Sequence, residues 1–109
     1  MNQRIDIQER MAALEKEMPD VAKALKQLHD EATKDGALDT KTKELILVAI
    51  AVALKCEYCL WNHVPMAAKL GASRQEILEA TGAAILMAGG PGVAYGSVVV
   101  LKILDELKI

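Results

Sequence analysis

The sequence predicts an all-α fold of about six helices, on three observations. Hydrophobic residues make up 52% of the 109 positions, yet aromatics are only 3%, with two Tyr, one Trp and no Phe. A core built from Ala, Leu, Ile, Val and Met favours helices, whereas the aromatics that strands prefer are nearly missing, which disfavours a β-sandwich or barrel. Apolar residues also recur at spacings of three and four along the first third of the chain, and capping signals stand where later helices should begin. The length is that of one domain, able to bury roughly two-thirds of its unfolded surface. So apolar a chain is not disordered.

Ile7, Met11, Leu14 and Met18 form one helical stripe, and Val21, Leu25, Leu28 and Ala32 form a second after Pro19. The opposite faces carry Lys, Glu and Asp, so residues 1–35 read as a helical hairpin with one solvated and one packed side, appended to a core at residues 40–107. The tract 34–39, with Gly36, closes the second helix, and Asp39 is the expected N-cap of a third from about Thr40. Residues 45–54 are uninterruptedly aliphatic, which predicts a helix buried on nearly all sides. Glu44 lies at its edge and shares an inward stripe with Val48 and Ala51. Residues 55–70 form the fourth helix, ending at Gly71. Pro65 within it removes a backbone donor and clashes with the Trp61 carbonyl, which predicts a kink or restart near residues 62–64. Ser73 and Glu76 make a capping box that opens a fifth helix to about Ala88. After Gly89, Gly90, Pro91 and Gly92 a sixth runs to about Leu107. Val98, Val99 and Val100 have strand propensity, but Leu101, Leu104 and Lys108 continue a helical period and there is no second convincing strand for pairing.

The 13 basic and 15 acidic residues give a formal net charge of -2. That leaves no basic excess for nucleic acid and no polybasic patch for an anionic membrane. No charge occurs between Glu79 and Lys102, a stretch long enough for a membrane span. The Gly-Gly-Pro-Gly turn divides it into two pieces too short to cross. The opening residues 1–10 lack the charged lead and apolar stretch of a secretory signal, so the expected compartment is the cytoplasm. The uncharged segment is too apolar for the surface of a lone small domain, which predicts burial between subunits.

Both cysteines, Cys56 and Cys59, fall in C-E-Y-C, and His63 follows four residues later. On a helix these offsets put all three on one face. Spacing this compact leaves a redox dithiol, a metal site or coincidence. A structural disulfide is disfavoured, because a loop of three residues gains little from a cross-link. For redox work the thiolate is the nucleophile, and an ordinary thiol of pKa about 8.5 needs help to lose its proton. His63, one turn from Cys59, is placed to accept it, whereas the helix dipole favours Cys56, nearer the helix start. The dipole is worth roughly 0.3 to 1 kcal/mol at an ordinary site, so the base decides for Cys59 as the attacking sulfur. Attack on a peroxide leaves a sulfenic acid on Cys59, which Cys56 is in reach to resolve, and an external dithiol must then reduce the disulfide. Glu44, if its helix turns back near Lys55, can orient His63 or relay a proton.

Glu44, Cys56, Cys59 and His63 reproduce the E-x(11)-C-x-x-C-x-x-x-H pattern of the AhpD-like alkylhydroperoxidases within the carboxymuconolactone decarboxylase family. The alanines that follow, Gly71 and the S-x-x-E-I helix start also resemble that family, over about residues 40–107. The resemblance implies an AhpD-like helical bundle, homo-oligomers often built as trimers or hexamers, and thiol peroxidase or disulfide reductase activity. By its pattern Cys59 is similar to the peroxide-attacking cysteine, Cys56 to the resolving one, and Glu44 and His63 to the proton relay. For some members it implies a lipoyl-bearing or thioredoxin-like reductant. No cofactor enters this scheme. True decarboxylases of the family lack the cysteine pair, so C-E-Y-C argues against lactone decarboxylation. One departure is Tyr58, which stands where the best-studied peroxidases of the family have a second histidine.

Other readings of the same residues are a pair of buried cysteines acting as small hydrophobes, and a zinc site made from Cys56, Cys59, His63 and Glu44. Zinc is disfavoured because structural zinc cysteines usually lie in turns and number three or four. A non-catalytic redox-sensing or assembly module is the alternative function class, and an enzyme of the decarboxylase family with another specificity is a third. His29, beside Asp30 and Glu31, reads as a solvated surface residue. Tyr58 and Trp61 can line a substrate pocket, though a Trp in so aromatic-poor a chain is more often packing.

Overall fold

A computed structural model describes residues 6–109, and among them every regular element is a helix. Residues 1–5, part of the stretch read for a secretory leader, lie outside the described residues. The chain separates into two compact units, one ending at Lys34 and one running from Asp35 to Ile109.

In the first unit, α1 (Ile7–Glu17) is capped by Asp6, whose carboxylate accepts the Glu9 N–H at 3.1 Å. Helix α2 (Pro19–Thr33) opens on a proline, tolerated there because the first-turn donors have no helical partner anyway. The two helices pack on each other. The stripe expected to form their packed side is largely exposed: Met11, Leu14, Val21, Leu25 and Leu28 all are.

The second unit opens with α3 (Thr40–Ala53), where Asp39 accepts the Thr42 N–H at 2.8 Å as its cap. Hydrogen bonds from the Thr42 side chain and backbone hold the Asp39 carboxyl below its ordinary range. Helix α5 (Arg74–Ala88) starts at the predicted capping box, with Ser73 Oγ accepting the Glu76 N–H at 3.0 Å and Glu76 Oε1 accepting the Ser73 N–H at 2.9 Å. Lys41 Nζ lies 3.0 Å from Glu76 Oε2 and ties the start of α3 to the start of α5. The Ser73 N–H and then Lys41 lower the Glu76 pKa.

Helix α3 packs against α5 and α4 and buries Glu44, Val48, Ala51 and Val52. It is not buried on nearly all sides, because Ile46 and Ile50 and, at its end, Leu54, spaced by four, are exposed. Helix α4 (Glu57–Lys69) runs unbroken through Pro65, so the restart predicted near residues 62–64 is absent. Leu60, Trp61, Val64 and Ala67 are all buried. At roughly 1.5–3 kcal/mol for each large side chain, their burial outweighs the roughly 3 kcal/mol that an internal proline costs.

The sixth helix begins directly after Gly89, whose φ of 72° breaks it from α5. It consists of three contiguous segments: α6 (Gly90–Ala94), a π-helical turn (Tyr95–Val100) and α7 (Leu101–Leu107). The three valines are thus helical. Gly92 and Gly96 let this helix approach α5 closely, since a Cβ at Gly92 would lie 3.1 Å from Ile85 Cα and one at Gly96 would lie 3.0 Å from Thr81 Cγ2. Val99, Val100, Ile103 and Leu104 are buried, and α4 packs on this half of the helix. Among the described residues no helix is long and apolar enough to cross a membrane.

Candidate active site

The joint between α3 and α4 places the cysteines. Helix α3 closes with two backbone bonds, from the Lys55 N–H to Val52 O at 3.1 Å and from the Cys56 N–H to Ala51 O at 3.0 Å. This is a Schellman end, which needs a left-handed residue, and Lys55 supplies it with φ 57°. Cys56 follows in extended conformation as the N-cap of α4, and its Sγ accepts the Cys59 N–H at 3.2 Å. Cys56 therefore stands just outside the helix rather than on its face, because the chain must leave α3 and enter α4 at that residue. Cys56 and Cys59 are joined in a disulfide with Cα atoms 5.2 Å apart. In this state neither sulfur is a thiolate, so the zinc reading lacks its sulfur donors.

The packing of α3 on α4 brings Glu44 to His63. Glu44 Oε1 lies 2.7 Å from His63 Nδ1, with the carboxylate side chain 1% and the imidazole 18% exposed. When the carboxylate is ionised it only accepts, and Nδ1–H is then the donor of this bond. His63 sits one turn after Cys59 on the same helix. Cys56 at the N-cap, Cys59 in the first turn and His63 one turn later thus follow one another at the start of α4, with Glu44 of α3 bonded to the last of them. Trp61 is buried and packs in the core, whereas Tyr58, between the two cysteines, is 55% exposed.

Two features of the site carried no sequence signal. A cysteine is not among the residues read as helix N-caps, and the left-handed end of α3 is a lysine where glycine is the usual marker. The end of α4 follows the usual rule, with Gly71 at φ 99° and the same paired bonds, Gly71 N–H to Ala68 O and Ala72 N–H to Ala67 O, each 3.0 Å.

Comparison with known proteins places the chain. The carboxymuconolactone decarboxylase family model matches residues 19–100. An uncharacterized protein of Cupriavidus necator is 36% identical over 92 residues, which cover 84% of this chain and 81% of that one. A carboxymuconolactone decarboxylase family protein of Legionella pneumophila superposes with a TM-score of 0.87 at 43% identity, covering 95% of this chain and 92% of its own. A family protein of Thermotoga maritima, described as a candidate for an antioxidative response, superposes with a TM-score of 0.75 at 25% identity, covering 91% and 90% of the two chains. A family match across most of the sequence and a helical fold shared nearly end to end make this chain a member of the carboxymuconolactone decarboxylase family.

Proposed function

We propose that the chain is a thiol-dependent peroxidase or disulfide reductase that works through Cys56 and Cys59. The observation that carries this reading is a disulfide at the start of α4, one turn from an imidazole held by a buried carboxylate. The antioxidative context described for the Thermotoga relative supports it.

In the proposed cycle His63 takes the Cys59 proton, and Glu44 steadies the imidazolium. The Cys59 thiolate attacks the terminal peroxide oxygen. An S–O bond forms, the O–O bond breaks, and the alcohol leaves with the proton from His63. The Cys56 thiolate then attacks the Cys59 sulfur, which forms the disulfide and expels the hydroxyl as water on protonation. An external dithiol, lipoyl-bearing or thioredoxin-like, restores both thiols and is itself oxidised to a disulfide. The working form is a homo-oligomer, a trimer or hexamer as the family resemblance implies, supported by Leu86 and Met87, which are 83% and 85% exposed in the single chain.

The test counts free thiols before and after a small excess of hydroperoxide, with and without a dithiol reductant. Continuous peroxide consumption with reductant supports an enzyme, and a single stoichiometric oxidation supports a redox-sensing module. Cys59→Ser should abolish consumption, while Cys56→Ser should permit one turnover and leave a trapped sulfenic acid on Cys59. The reverse pattern in a single-turnover thiol assay overturns the assignment of the two sulfurs.

A further inference from the structure

We infer that Lys55 is a positioning residue of the dithiol: its ammonium stabilises the Cys56 thiolate and so makes Cys56 the sulfur released when an external dithiol opens the Cys56–Cys59 bond. The inference rests on the redox reading above. It starts from a contrast within the chain. Helices α3 and α4 end in the same paired hydrogen bonds, yet the left-handed position is Gly71 in α4 and Lys55 in α3. A left-handed backbone is strained for a residue with a Cβ and unstrained for glycine, so the lysine holds its place against a local preference. Lys108, at φ 60°, closes α7 in the same way. A left-handed lysine can therefore serve simply as a cation at a helix C-terminus.

What separates Lys55 from Lys108 is the residue that follows it. Cys56 Sγ already sits where it accepts the Cys59 N–H at the start of α4. On reduction, a thiolate at that point gains the amide hydrogen bond, the partial positive charge of the α4 N-terminus and an ammonium one residue away. Glu57, exposed in the first turn of α4, acts in the opposite sense. Tyr58 is the next titratable residue along the chain, and His63, paired with Glu44, stands one turn after Cys59 on α4.

The redox step is then directional. A thiolate of the reductant bonds to Cys59 Sγ, the Cys56–Cys59 bond breaks, and the electron pair leaves on Cys56. The second thiol of the reductant displaces Cys59, which takes up a proton, and the reductant departs as its disulfide. Exchange is faster when the leaving thiol has the lower pKa. The same thiolate serves as the resolving nucleophile in the oxidative half of the cycle.

The experiment titrates Cys56 in the Cys59→Ser chain by its thiolate absorbance, alone and combined with Lys55→Gln, Lys55→Gly or Lys55→Arg. Gln and Gly should raise the Cys56 pKa by about half a unit, Arg should leave it near its original value, and added salt should shrink the difference. Glu57→Gln should lower it. With both cysteines present, reduction of the disulfide by dithiothreitol should slow about twofold in Lys55→Gln and Lys55→Gly. Lys55→Gly should at the same time raise the melting temperature of the oxidised protein, because glycine relieves the left-handed turn. An unchanged Cys56 pKa and reduction rate in both variants overturns the inference and leaves Lys55 a helix-end cation like Lys108. A disulfide that no dithiol opens and no peroxide re-forms sinks the redox reading instead.

Discussion

Burying a carboxylate costs free energy unless it is hydrogen-bonded and paired, and Glu44 meets that condition through the imidazole of His63. Glu44→Gln keeps the shape and an acceptor oxygen for Nδ1–H but removes the charge that steadies an imidazolium. Peroxide consumption should fall roughly 10- to 100-fold with the fold intact by circular dichroism. An unchanged rate would exclude Glu44 from the relay. Tyr58 offers a test with the opposite sign. Tyr58→His puts a second imidazole between the cysteines and should raise peroxide turnover, by up to about tenfold; a slower variant would show that the exposed phenol is itself needed. Cys56, Cys59 and His63 stood out in the sequence because the chain has two cysteines and two histidines, and Glu44 because it edges the aliphatic run of α3 at the spacing of the family pattern. The conformations of Lys55 and Cys56 were not, since a left-handed turn or a cap is normally read from Gly, Ser, Thr, Asp or Asn, and neither residue belongs to that set.

Among the elements, legibility followed how local the cause is. Asp39 for α3 and the Ser73–Glu76 pair for α5 act within one turn, and the structure has both caps where the sequence placed them. The fate of Pro65 depended on the burial of Leu60, Trp61, Val64 and Ala67, contacts made by other helices that no local rule contains. The π-helical turn at Tyr95–Val100 likewise left no mark on a run that reads only as apolar. Close packing of α5 on α6 predicts that Gly92→Ala is destabilising by about 1–3 kcal/mol, because the new methyl meets the Ile85 backbone, which cannot rotate aside. Urea unfolding measures this, and a variant as stable as the parent would mean that the two helices separate freely.

At the scale of the whole molecule, 52% hydrophobic content meets a single chain that leaves many large apolar side chains exposed. Ile46 and Ile50 on α3, Leu54 at its C-cap, Leu86 and Met87 on α5, and Val98 in the π-helical turn are all among them. The prediction of a helix buried on nearly all sides was right about composition and wrong about what one chain can cover, because a sequence does not say whether apolar surface is closed within the chain or between copies. Sedimentation at micromolar concentration should therefore find a trimer or hexamer. A monomer would count against subunit burial.

The π-helical turn also makes the last helix a matter of counting. Such a turn holds one residue more than the α-helix it interrupts, and each residue rotates an α-helix by about 100°. Gly92 and Gly96 are turned toward α5, while Val99, Val100, Ile103 and Leu104 are buried on the half of the helix that meets α4. Loss of one residue between Gly96 and Leu101 would leave a perfectly regular helix whose end faces the wrong way, with Ile103 and Leu104 carried off their positions. The spacing between the two halves is thus as much a part of the core as the side chains are.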